Sequence, residues 1–377
     1  MYVAAVTGTN GKTTTVEFIR QLLGGNHNQA ASVGTLGIVD QQGQSPPPFV
    51  LSDVGCWRQV IDDLSLDYDY LALEAYSAGL SSRDWDDVPI NAAALTTFGR
   101  DHLDFHGSVE NYANAKLHLF QSILPSGCTA VVNTDCPLFG RVVRIASLNS
   151  HRLISYGTGG DVYYQTLSPV AGGQLASICV FGTTFEQFVS VSTPFLAENA
   201  LAAFCISLDA GMEVEQALIG LGQLQTPSGR MQALGERRGT RVFVDFAHTP
   251  DALQRALQDI RLLSSGQVRL VFGCGGDRDA TKRPAMGAIA DRFADVVVVT
   301  DDNPRSECPS KIRAAITEQC PGAVEIANRE QAIRFALDQS RSGDVVLICG
   351  RGSEATMTYA DHEYPWCDLN ALSQFQK

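Results

Sequence analysis

Short apolar runs alternate along this chain with stretches whose apolar residues recur at helical spacing, a pattern that predicts βαβ units on a mostly parallel sheet. In the first part, Tyr2–Val6, Tyr68–Glu74, Ala92–Phe98 and Cys128–Asn133 read as buried strands, and Thr13–Leu23, Val54–Leu64 and Val109–Ile123 as helices. The pattern then changes. Val162–Leu167, Leu175–Val180 and Phe185–Val191 are separated by Gly-rich turns, which predicts an antiparallel extension before a helix over Glu198–Leu208. Turn formers concentrate at Gln225-Thr-Pro-Ser-Gly229, and a second α/β pattern begins there. Its strands are expected at Arg241–Phe246, Val268–Cys274, Asp295–Thr300, Val324–Ala327 and Asp344–Cys349, with helices at Asp251–Leu263, Pro284–Ala294, Ser310–Gln319 and Arg329–Gln339. Two domains follow, 1–226 and 227–377. Pro46-Pro-Pro48 reads as a loop.

The length of 377 residues suits two or three domains at ~100–200 residues each. Lys and Arg number 28 against 41 Asp and Glu, a net charge of −13, which argues against a general grip on nucleic acid or an anionic membrane. Any phosphate must then be held by local devices. No run approaches the ~18–20 apolar residues of a membrane span, and a cytoplasmic protein is expected. The ten cysteines contain no Cys-x-x-Cys pair, so buried reduced thiols are expected rather than zinc or a redox pair.

The first strand runs into Thr7-Gly-Thr-Asn-Gly-Lys-Thr-Thr14 and then a helix. Gly8 and Gly11 let the backbone of Thr9, Asn10 and Thr14 wrap around an anion, Lys12 supplies a mobile charge, and Thr13 offers a hydroxyl to Mg²⁺. Such a loop binds a nucleoside triphosphate. The spacing is shorter than in the strict G-x-x-x-x-G-K pattern, and a strand-to-helix turn that binds nothing is the alternative. Glu74 closes an apolar strand, which makes it a candidate Mg²⁺ ligand or a plain strand end. Asp101, His102 and Asp104 lie in Arg100-Asp-His-Leu-Asp-Phe-His-Gly107, before a helix that carries Lys116 on an otherwise apolar side.

With these motifs the sequence resembles the Mur ligases, the ATP-dependent amide-bond ligases of peptidoglycan assembly, and among them the MurE branch, which adds the third residue of the stem peptide. Thr7–Thr14, Arg100–Gly107 and Tyr112–Phe120 carry the likeness, which continues through Gly229–Gln232, Val244–Leu253, Phe272–Asp279 with Lys282–Pro284, and Thr300–Arg305. The fold implied is a P-loop-type central ATPase domain with a mostly parallel sheet plus a C-terminal Rossmann-like α/β domain. The chemistry implied is phosphorylation of a carboxylate acceptor by ATP, then attack of an amino acid's amine on the acyl phosphate. The resemblance assigns Lys12 and Thr13 to ATP phosphates and Mg²⁺, and Glu74 and His102 to the metal. Lys116 would take up CO₂ as a carbamate that holds a second Mg²⁺. Asn199 would sit near adenine; Arg230, Asp245 and His248 would complete the nucleotide site. Asn303, Arg305, Gly350 and Glu354, helped by Arg283, would recognise the incoming amino acid.

This sequence departs from that family on the acceptor side. It begins at the strand before the phosphate loop, which suggests that the UDP-binding N-terminal domain is lacking. Thr-Thr-Pro-Asp of the family is Val50-Leu-Ser-Asp53, Glu-Val-Ser-Ser-His-Gly is Glu74-Ala-Tyr-Ser-Ala-Gly79, and the asparagine before the Arg-Asp-His run is Thr97. Gly-Lys-Gly-His-Glu is Gly350-Arg-Gly-Ser-Glu354. The expectation is therefore a ligase acting on a small or peptide carboxylate without UDP, in specialised metabolism. Arg305 favours an amino acid with a second carboxylate, diaminopimelate-like, because its fork matches a carboxylate and repels a lysine ammonium. The alternatives are a true peptidoglycan UDP-MurNAc-dipeptide ligase and a non-catalytic ATP-binding relic.

Overall fold

The computed structural model describes residues 1–25, 29–45 and 57–373, apart from the side chains of Asp104 and Ser373. The expectations placed on Pro46–Pro48, Val50–Asp53 and the start of the Val54–Leu64 helix lie outside the described residues, where that helix is seen from Trp57 to Leu64. The chain forms two compact units, Met1–Gln225 and Thr226–Lys377.

The first unit is built on one sheet. In chain order its strands are β1 (Tyr2–Thr7), β2 (Ala30–Gly34), β3 (Gly37–Val39), β4 (Gln44–Ser45), β5 (Tyr70–Glu74), β6 (Ala92–Leu95), β7 (Thr129–Asn133), β8 (Arg152–Tyr156), β9 (Val162–Val170), β10 (Gly173–Val180) and β11 (Thr183–Val189). Their order across the sheet is β11-β10-β9-β8-β7-β6-β1-β5-β2-β3-β4. The strands from β2 through β5, β1, β6 and β7 to β8 pair in parallel, whereas β9, β10 and β11 form the antiparallel extension. The central strands are near-continuous apolar runs because helices cover both faces and leave no solvated side. Val3, Leu71, Leu73, Leu95, Val132, Leu117 and Phe120 share one core with the tilted ring pair of Trp57 and Trp85.

Some elements differ from expectation. The run Ala92–Phe98 leaves the sheet at Leu95, because the hydroxyls of Thr96 and Thr97 turn toward the neighbouring loop. The helix from Val109 is α-helical only to His118 and widens to a π-helix over Leu119–Ile123. Strand β2, composed of small residues, and the helix Phe139–Asn149, with a glycine at its second position, carried too little pattern to be foreseen.

The second unit holds β12 (Gln232–Arg237), β13 (Thr240–Asp245), β14 (Val268–Phe272), β15 (Val296–Val299), β16 (Val324–Glu325) and β17 (Val345–Cys349), in the order β12-β13-β17-β14-β15-β16. All neighbours are parallel except β12 with β13. A separate hairpin, β18 (Thr356–Tyr359) with β19 (His362–Pro365), follows the sheet. Arg329 is buried and grips Asp368 through two hydrogen bonds of 2.7 Å, and it also donates to Cys349 O at 2.9 Å. This ties the final helix, Asp368–Ser373, to the sheet.

Replacing Arg329 by Met would strand the Asp368 carboxylate without its counter-ion. A loss of about 3–5 kcal/mol is expected, read as a lower denaturant midpoint in equilibrium unfolding.

Candidate active site

Strand β1 leads into the loop, and the helix Lys12–Leu23 begins directly after Gly11. Gly11 occupies the N-cap with φ of 90°, a left-handed conformation, and presents no side chain to the first-turn amides. A Cβ there would lie 2.4 Å from Asn199 Oδ1, so only glycine fits. Thr15 N is the first helical amide with a helical acceptor, Gly11 O at 2.9 Å. The amides of the first turn lie at the positive end of the helix dipole, a place that suits an anion. The segment after β6 braces this loop. Thr9 N donates to Thr97 O at 2.9 Å, Asn10 N donates to Thr97 Oγ1 at 2.9 Å, and Thr96 Oγ1 donates to Asn10 O at 2.6 Å. Thr97, a departure from the related motif, thus holds Asn10 together with Thr96.

Two lysines converge on one carbonyl. Lys12 Nζ donates to Gly8 O at 2.9 Å and to Thr9 O at 3.0 Å, and Lys116 Nζ donates to the same Gly8 O at 2.9 Å. Lys116 is only 1% exposed, and its Nζ lies 4.3 Å from the centre of the Tyr112 ring. Burial first, and the Lys12 ammonium second, hold the Lys116 amine well below the ordinary lysine range. Tyr112 OH donates to Thr9 Oγ1 at 3.3 Å, which makes this tyrosine a brace of the site that the sequence reading missed.

Glu74, buried at the end of β5, lies beside Val6 of β1 and accepts from Thr35 N at 2.8 Å. His102 has φ of 51°, pairs with Asp101 at 3.4 Å and stands 6.2 Å from the Tyr112 ring. Asn199 is buried with its Oδ1 against Gly11 and its Nδ2 unpartnered. Gly8 to Thr14, Lys116 and Asn199 therefore form one cluster, with Glu74 joined to it through the β1–β5 pairing and His102 through Tyr112.

The second unit gathers the remaining residues into two groups. In one, the Arg230 guanidinium lies 4.0 Å over the Phe246 ring, and His248 Nδ1 meets Phe246 O at 3.0 Å. Asp245 accepts from Met231 N at 2.6 Å and Ala247 N at 2.8 Å. Burial raises its carboxyl, opposed by Arg230 and these amides. In the other group, Asn303 Nδ2 donates to Glu354 Oε2 at 3.1 Å and Arg305 Nη1 donates to Gly276 O at 2.7 Å. Gly350, with φ of 114°, packs so closely on Asp302 that a Cβ would lie 2.2 Å from its carboxylate. Gly350 N donates to Asp245 O at 3.2 Å and so links the two groups. Arg283 is buried and paired in bidentate fashion with Glu307 at 2.8 and 2.7 Å. Arg278, which the sequence reading passed over, is exposed beside Arg305.

The model of the Mur ligase middle domain matches residues 6–207, and that of the Mur ligase glutamate ligase domain matches residues 229–352. The chain belongs to the Mur ligase family. This Mur ligase is 40% identical over 374 residues to UDP-N-acetylmuramoyl-L-alanyl-D-glutamate–2,6-diaminopimelate ligase of Caulobacter vibrioides, covering 97% of this chain and 77% of that protein. It is 39% identical over 373 residues to the enzyme of the same name from Mesorhizobium japonicum, covering 96% and 77%. A solved structure of a ligase of that name superposes with a TM-score of 0.69 at 30% identity, covering 99% of this chain and 78% of the other. Folylpolyglutamate synthase of Mycobacterium tuberculosis, 18% identical with a TM-score of 0.75 over 93% of this chain and 88% of the other, shares the fold. The chain is accordingly an ATP-dependent, ADP-forming acid–amino acid ligase, which sets aside the relic reading. The relatives also correct the expectation of a non-UDP acceptor in specialised metabolism. Their names specify a UDP-linked acceptor and favour the peptidoglycan alternative. Among the described residues no helix is long and apolar enough to cross a membrane.

Gly11→Ala adds about 1–2 kcal/mol of left-handed strain to the clash with Asn199. Calorimetric titration with a non-hydrolysable ATP analogue should show binding weakened by about tenfold or more. Lys116 gives a second expectation. Its folded-state pKa lies below the unfolded value of about 10.4, so the unfolded chain binds more protons between the two, and stability rises with pH over that window. In CO₂-free buffer, unfolding midpoints should climb from neutral toward alkaline pH, and Lys116→Met should flatten the climb.

Proposed function

We propose that this Mur ligase joins an amino acid with a second carboxylate, of the 2,6-diaminopimelate type, to the peptide carboxylate of a UDP-N-acetylmuramoyl dipeptide. The observation that carries this reading is the 40% identity, sustained over 97% of the chain, to a ligase named for those substrates. Arg305 and Asn303 beside Glu354 support it chemically, since a guanidinium fork suits the distal carboxylate and an acid suits an ammonium.

In this reading the first-turn amides after Gly11 and the Lys12 ammonium hold the ATP phosphates, and Asn199 turns its unpartnered amide to the base. Lys12 must leave the Gly8 and Thr9 carbonyls to reach a phosphate, a movement its four-carbon stem allows. The donors present fit Mg²⁺. Among the described residues no three His, Cys, Asp or Glu side chains gather as a cage, and Mg²⁺ prefers one or two protein oxygens plus phosphates and water. Thr13 and Glu74, with His102 and a carbamylated Lys116, would hold a pair of ions, which supply charge neutralisation to the transferring phosphoryl oxygens. Carbamylation fits Lys116 because only a neutral amine adds CO₂, and burial beside Lys12 lowers its pKa and so favours that form.

The test is incubation with ATP, Mg²⁺, meso-diaminopimelate and UDP-N-acetylmuramoyl-L-alanyl-D-glutamate. Release of ADP with one new amide by mass spectrometry is expected, along with stimulation by bicarbonate and loss of activity in Lys116→Ala. Turnover of a UDP-free acid with none of the UDP-linked dipeptide would overturn the acceptor assignment.

A further inference from the structure

Asp301 and Asp302 follow β15, and each pairs with a different arginine, Asp301 with Arg313 and Asp302 with Arg351. Arg351 is fully buried and spans three segments with one guanidinium. Its Nη1 donates to Asp302 Oδ1 at 3.1 Å, while its Nη2 donates to the carbonyl of Thr356 and lies 3.1 Å from Glu354 Oε2. The three acceptors belong to the 301–305 loop, the 350–354 loop and β18. β18 in turn templates the first of these loops. Thr358 N donates to Asn303 Oδ1 at 2.8 Å, Arg305 N donates to Thr358 O at 3.1 Å, and Ala360 N donates to Arg305 O at 2.7 Å. Asn303 and Arg305 are held at φ of 42° and 50°, left-handed conformations that cost non-glycine residues free energy and persist only where the surroundings fix them.

We infer that Arg351 is a positioning residue for amino-acid recognition: its guanidinium fixes the Glu354 carboxylate and the Asn303–Arg305 turn relative to each other without itself meeting the substrate. Without this cation, Asp302 and Glu354 repel each other across a partly desolvated space, and the carboxylate that receives an ammonium separates from the fork that receives a carboxylate. The side chain has no solvent exposure, so its effect passes through the groups it holds. The inference rests on the reading of Asn303, Arg305 and Glu354 as amino-acid contacts, and the control tests that reading separately.

The experiment compares the full chain with Arg351→Met, Arg351→Lys and the control Arg305→Met, measuring KM for meso-diaminopimelate, ATP and the UDP-linked dipeptide, with a thermal midpoint for each protein. Arg351→Met is expected to raise KM for the amino acid about tenfold while the other two KM values stay within about twofold. Arg351→Lys keeps the buried charge but has one nitrogen for three acceptors, and a rise of about threefold is expected. Arg305→Met raises the amino-acid KM if the underlying reading holds. A folded Arg351→Met with an unchanged amino-acid KM, or with all three KM values raised alike, overturns the inference. If Arg351→Met does not fold, an unchanged amino-acid KM in Arg351→Lys overturns it. A control with unchanged KM overturns the reading beneath it.

Discussion

The carbonyl of Gly8 is the point on which the first unit's site depends. It accepts from both Lys12 and Lys116, so two amines that would otherwise repel share one acceptor at the carboxyl end of a buried strand. An ammonium fully enclosed by protein is costly unless paired, and the protein lowers this cost by favouring the neutral form of Lys116. The same burial that makes Lys116 a poor cation favours its free amine, the form the proposed carbamylation requires. Tyr112 closes the space around it with its ring and holds Thr9 with its hydroxyl.

The second unit solves a different problem, the fixing of loops that carry acids. Arg329, Arg313 and Arg351 are buried, and each is matched to a carboxylate: Asp368, Asp301 and Asp302. Buried pairs of this kind add little net stability, yet losing one partner is severe, so they act as registration points for the segments they join. Arg283 belongs with them. Its grip on Glu307 makes it a brace of the loops after β14 and β15, while Arg305 and Arg278 stand nearer the surface.

The departures from the family pattern look different once placed in space. Thr97 bonds the phosphate-loop backbone with its hydroxyl, and Ala78 sits exposed in the short helix Ser77–Ser82. Neither damages the nucleotide loop. At Thr97, a change that reads as a loss along the sequence is a residue that braces the loop.

The sequence by itself determined the alternation of strands and helices, the antiparallel extension near residue 160, the phosphate loop and the motifs that mark the ligase chemistry. These are local properties: hydrophobic period, glycine placement and short polar strings are set by neighbours within a few positions. The tertiary structure alone decided that Lys12 and Lys116, far apart in the chain, meet at one oxygen, that Asn199 packs on Gly11, and that Arg351 bridges three segments. It also decided that Arg283 pairs with Glu307, 24 positions away. The physical reason is common to all four. Whether a charge is buried, and which group satisfies it, depends on chain folding that brings distant residues together, and no pattern of nearest neighbours encodes it.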